Sequence, residues 1–200
     1  MQTVTRMLGL HIYDYLLVIN LPLEIGYRIE AERNNIRQEF DMEQPPTGTP
    51  AVYLAKFSAM QMVEERILQK LQKIFEQEKP FIIGLKDFGF YPMHSVYVNI
   101  ENQSKVLQLI KKIKEARRLM KMTGSEPYFI SDPNIALAGR LSNEKYMEVM
   151  NRYKEKKFRT NFIADAILLL RKAKMENKYA VFKRFNLACI PVGAGQGSLF

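Results

Sequence analysis

Two octapeptides decide how this chain folds: Pro50-Ala-Val-Tyr-Leu-Ala-Lys-Phe57 and Pro133-Asn-Ile-Ala-Leu-Ala-Gly-Arg140, which begin 83 residues apart. Each sets a proline before a short apolar run, the composition of a strand entered from a turn. Side-chain alternation predicts that Ala51 and Tyr53 share one face of the first strand, and Asn134 and Ala136 one face of the second. The same parity places Arg140 with Asn134 and Ala136, and turns Lys56 away from Tyr53.

Working outward, the surroundings of the two copies match as well. Ile12 to Asn20 reads as a strand, and Pro22 opens a helix carrying Ile25, Ile29, Ile36 and Phe40 at helical spacing. A polar loop over residues 43–49 leads to the first octapeptide, then to a helix with Met60, Val63, Ile67, Leu71 and Ile74 in one stripe. Pro80 to Phe88 reads as a strand, Tyr91-Pro92 as a turn, and Ser95 to Ile100 as the strand that starts the second round. Its helix buries Val106, Leu109, Ile110, Ile113 and Met120 and turns Lys105, Lys111, Lys112, Lys114, Arg117, Arg118 and Lys121 outward. Ser142 is the expected N-cap of a helix with Tyr146, Met147, Met150 and Tyr153 on one side. Strands over 158–171 and 179–187 complete the reading.

Helices interleaved with strands that have one covered face imply an α+β fold: two antiparallel sheets related by a pseudo-two-fold axis, helices outside, and a central cleft beside the octapeptides. At 200 residues and 47% hydrophobic, the expected organisation is one bilobal domain over residues 1–192 and a loose Gly-rich tail at 193–200. The lone Cys189 excludes an internal disulfide and fits a reducing compartment. Asp14 interrupts the apolar stretch from Met7 to Asn20, and no small-residue cleavage site follows, so no signal peptide is expected. These features point to a cytoplasmic protein, with no membrane association, no metal and no cofactor, and a monomer as the simplest state. The net charge of +9 is uneven, −3 over residues 1–50 and +12 over 51–200. Such a balance suits either a phosphate-binding surface or solvated lysine-rich helices.

The doubled Pro-x-hydrophobic-x-Leu-Ala strand, the helix after each copy, Phe88-Gly-Phe-Tyr-Pro-Met-His-Ser-Val-Tyr97 and Asn161-Phe-Ile-Ala-Asp-Ala-Ile-Leu-Leu-Leu170 together resemble the two-histidine phosphoesterases. Within that family the likeness is to the 2'-5' RNA ligase-like branch, and it spans about residues 12 to 187. The resemblance implies His-x-Thr or His-x-Ser in both octapeptides: one imidazole takes a proton, the other gives one, and two hydroxyls hold the phosphate. This chain has Ala51 and Tyr53 in the first copy and Asn134 and Ala136 in the second. Neither Ala51 nor Asn134 can exchange a proton near neutral pH, and each lost acid or base typically costs about 10²–10⁴-fold in rate.

No catalytic residue is therefore assigned. The expectation is a degenerate member that binds a nucleotide or an RNA phosphate, with Tyr53, Tyr91, Asn134, Arg140 and His94 as ligand-binding candidates. Arg140 is the candidate anion ligand, while Tyr53, Phe90 and Tyr91 offer flat faces to a base. Two alternatives stay open. One is an active cyclic phosphodiesterase or RNA ligase-like enzyme working through Tyr53, Asn134 and His94; the other is a protein-interaction module. His11, the only other histidine, is expected to be an exposed residue ahead of the first strand.

Overall fold

The computed structural model describes residues 11–41 and 48–188. Most of the 43–49 loop, Cys189 and the 193–200 tail lie outside them. Among the described residues, nine strands form two antiparallel sheets. The first contains β1 (Ile12–Asn20), β2 (Ala51–Met60), β5 (Tyr128–Phe129), β8 (Ala166–Ala173) and β9 (Ala180–Asn186), in the order β5-β2-β1-β8-β9. The second contains β3 (Phe81–Tyr91), β4 (Ser95–Ile100), β6 (Asn134–Ala138) and β7 (Arg159–Ala164), in the order β6-β4-β3-β7. Without the short β5, the orders β2-β1-β8-β9 and β6-β4-β3-β7 correspond strand for strand, with the two octapeptide strands in equivalent positions. That correspondence is the pseudo-two-fold.

The helices are α1 (Leu23–Glu39), α2 (Glu64–Phe75), α3 (Ser104–Ile113), α4 (Arg117–Met120) and α5 (Asn143–Tyr153). The first helix of each half crosses to the other lobe: α1 packs on β6, and α3 with α4 packs on β2. One apolar core runs beneath both sheets, joining Leu17, Ile19, Val52 and Leu54 to Ile83, Val98, Ile135 and Leu137. The helices cover this core from outside and leave the opposite faces of the sheets to the cleft. Among the described residues, no helix is long and apolar enough to cross a membrane.

Local sequence explains most boundaries. Pro22 caps α1, and its missing N–H falls where a helix has no intrahelical acceptor to offer. The Ser142 hydroxyl accepts a hydrogen bond from the Lys145 backbone N–H at 3.3 Å, as an N-cap should. In α5, however, Val149 takes the buried place expected of Met147, which is solvent-exposed. The expected strand over 158–171 is two strands, because the chain leaves one sheet and enters the other at Asp165. Both sheets bury apolar side chains on either side of that residue, so hydropathy alone carries no break.

A β-bulge decides the cleft face of β2. Val18 stands opposite Tyr53 while Leu17 stands opposite Ala55, leaving Leu54 without a partner. Leu54 and Ala55 are both buried in the core. Everything beyond them is inverted, as one extra residue in a strand requires. Lys56 thus shares a face with Tyr53, contrary to simple parity, and is exposed there.

Candidate functional site

The octapeptide strands meet beside a cavity of about 210 Å³ whose walls include Tyr53, Tyr91, Tyr128, Asp132, Asn134 and Ala136. Three of the four positions that carry the family's chemistry therefore face one space. The fourth, Ala51, is 5% exposed and packs in a small apolar cluster with Val18 and Leu168 on the same face of the sheet as Tyr53. Its methyl group offers nothing to a proton.

The wall around Asn134 is tied together by hydrogen bonds. The Asn134 amide donates to the Tyr91 hydroxyl at 2.9 Å and to the Asp132 backbone carbonyl at 3.0 Å. The Tyr91 hydroxyl in turn donates to the Asp132 carboxylate. Gln103, just ahead of α3, donates from its side-chain nitrogen to Asp132 Oδ1 at 2.8 Å and to the Pro133 carbonyl at 3.2 Å. Burial, and then the bond to Asp132, holds the Tyr91 phenol well above its ordinary pKa. The Tyr97 phenol is raised by burial first and the same carboxylate second.

Tyr91 rests against the Tyr97 ring, with centroids 4.6 Å apart. Gly89 makes room for this pair. A Cβ at that position would lie 2.3 Å from the Tyr97 ring, far inside contact distance.

Behind the cavity lies Arg33 of α1, which is 3% exposed. Its Nε and Nη2 donate to the Ala136 carbonyl at 3.0 and 2.9 Å, and its Nη1 donates to the Gly48 carbonyl at 2.8 Å. Burial lowers the guanidinium pKa from its usual value, and Glu30, paired at 3.3 Å, opposes that shift. Arg33 is thus spent on backbone carbonyls.

Of the sequence candidates, Tyr53, Tyr91 and Asn134 come together at the cavity. Arg140 does not line it: β6 ends at Ala138, and Arg140 is exposed with φ of 57°, so strand parity does not reach it. His94 is also outside the lining, exposed in the β3–β4 turn, where its backbone carbonyl accepts from the Leu141 N–H at 3.0 Å. Phe90 packs against the core. His11 is exposed, as expected. Sequence reasoning missed Tyr128, Asp132, Gln103 and Arg33. A signal existed only for Asp132, which immediately precedes the second octapeptide.

No protein-family profile matches the chain, and no curated protein does. Solved structures do. Escherichia coli LigT in complex with 3'-AMP is similar at 16% identity, with 88% of this chain and 98% of that one covered and a TM-score of 0.65. A crystal structure described as a phosphoesterase is similar at 14% identity, covering 88% and 99% of the chains with a TM-score of 0.61. TT0787 of Thermus thermophilus is similar at 14% identity, covering 87% and 97% with a TM-score of 0.60. Two matched sheets, crossed helices and a shared cleft, together with these likenesses, give the chain a LigT-like fold.

Proposed function

We propose that this protein is a degenerate member of the two-histidine phosphoesterase fold, which binds a nucleotide or an RNA end in its cleft without hydrolysing or joining it. One observation carries the reading: both proton-transfer positions hold groups that do not titrate. Ala51 is buried among apolar side chains, and the Asn134 amide is engaged with Tyr91 and Asp132. The nearest phenol, Tyr91, is shifted away from neutral pH rather than toward it, which counts against a substitute general base. The position of His94 outside the cavity lining counts against its use by an unconventional enzyme.

The ligand class is supported by the aromatic cavity walls and by the fold's record, since E. coli LigT has been solved with 3'-AMP, with ATP and with NADP+. The test pairs two measurements on the purified protein. Equilibrium binding should detect nucleotides at low salt, while incubation with 2',3'-cyclic nucleotides and with RNA ends should give no turnover above background. Robust turnover would replace this reading with that of an enzyme. Absence of nucleotide binding would leave the fold without this function.

A further inference from the structure

The cavity has the opposite polarity from one that receives a phosphate. No lysine or arginine is among its described lining residues, and the one acidic side chain among them is Asp132. Asp132 is held in place by the Tyr91 hydroxyl and the Gln103 amide, each satisfying one lone pair and leaving others for a ligand. Both Asn134 N–H groups are occupied by the Tyr91 hydroxyl and the Asp132 carbonyl, so its Oδ1 is what remains to offer. The wall at Asp132 and Asn134 is thus an array of acceptors flanked by the rings of Tyr53, Tyr91 and Tyr128. Lys56 stands directly across from Tyr128 in the β2–β5 pairing, on the face that the bulge turns toward the cleft.

Resting on the nucleotide-binding reading above, we propose that the cleft takes the base rather than the phosphate, selects guanine, and leaves the phosphate outside at Lys56. The Watson–Crick edge of guanine carries two adjacent donors, N1–H and N2–H, which match a carboxylate in a bidentate manner. Adenine and cytosine place a ring-nitrogen acceptor at the corresponding point, so lone pairs would face the carboxylate and both partners would go unpaired. Tyrosine faces provide stacking for any base and so give affinity without choice. A phosphate inside the cavity would instead meet the Asp132 charge.

Calorimetric titration of the full chain with guanosine, GMP, adenosine, AMP and inorganic phosphate tests this directly. Guanosine should bind within about threefold of GMP at moderate salt and about ten- to a hundredfold tighter than adenosine, the discrimination expected of one bidentate base contact. Inorganic phosphate should not displace it. The isosteric Asp132→Asn, checked for native circular dichroism, should erase the guanine preference. Lys56→Ala should weaken GMP and flatten its salt dependence while leaving guanosine unchanged. Base-blind nucleotide binding that inorganic phosphate displaces would overturn this inference and leave the nucleotide-binding reading standing, as would a guanine preference that survives Asp132→Asn. If no nucleoside or nucleotide binds at low salt, both fail. Tighter binding of free arginine, whose guanidinium presents the same pair of N–H donors, would overturn the choice of a base as ligand.

Discussion

Arg33 grips the Ala136 carbonyl through two nitrogens, Nε at 3.0 Å and Nη2 at 2.9 Å, so a helix of the first half holds the octapeptide strand of the second. A third bond reaches the Gly48 carbonyl at 2.8 Å, just before the first octapeptide. One buried guanidinium thus ties β6 to the loop that leads into β2. Arg33→Met should leave these carbonyls without their donors and cost about 2–4 kcal/mol. Urea denaturation measures it, and Arg33→Lys should recover only part, because an ammonium cannot reproduce the planar fork.

The family's chemistry can be rebuilt only as a set. The combined changes Ala51→His, Tyr53→Thr, Asn134→His and Ala136→Thr should produce detectable hydrolysis of 2',3'-cyclic nucleotides, whereas either half alone should give none, since acid and base are both needed. Recovery should be partial, because the retained Asp132 carboxylate opposes a phosphate in the same cavity. An imidazole at position 51 overpacks the cluster of Val18 and Leu168, at a cost of about 1–3 kcal/mol, and a displacement of about 1 Å can itself cost roughly 10²-fold in rate. Initial-rate assays on the four-residue variant and on each pair check the ordering.

Gly89→Ala should damage the cleft more than the core. The new methyl group would collide with the Tyr97 ring, which in turn supports Tyr91. We expect a loss of about 1–3 kcal/mol in thermal unfolding, as for other overpacked sites, together with weakened ligand binding. Wild-type binding in a folded Gly89→Ala protein would show that the Tyr91–Tyr97 pair is not part of the binding wall.

Several tyrosines should titrate late. Burial, followed by the nearby Asp14 and Tyr53, pushes Tyr179 up to about 12, and burial is also the largest cause of the raised values of Tyr15, Tyr91 and Tyr153. The folded value is above the unfolded one near 10, so this contribution to stability is whole below that pH and is lost as pH climbs to about 12 for Tyr179. Ultraviolet phenolate titration should resolve a delayed class of tyrosines, which merges with the ordinary class in urea. A single transition near pH 10 in the folded protein would contradict it.

The architecture was legible in the sequence because its signals are local and repeated. A proline-led apolar strand, a following helix and a serine cap each depend on neighbours a few residues away, and each is present; only the start of α2 moves, since Met60 ends β2 and Val63 lies in a 3-10 turn ahead of the helix. What escaped depends on pairing across space. The Leu54 bulge is dictated by the neighbouring strand, so parity misplaced Lys56; the end of β6 at Ala138 removed Arg140 in the same way. Arg33 reads as one more polar residue on an amphipathic helix, since its acceptors lie 15 and 103 residues away. Asp132 was visible as a residue but not as a role, which only the convergence of Tyr91 and Gln103 upon it reveals.

The exchange of helices between lobes governs how the cleft can move. With α1 laid on β6 and α3 and α4 on β2, each wall of the cavity is buttressed by an element threaded from the opposite half. Swinging the walls apart would have to pull all three helices from the strands they pack on, so the crossed helices oppose a clamshell opening. The most exposed of the three cavity tyrosines is Tyr128, which stands on a strand only two residues long.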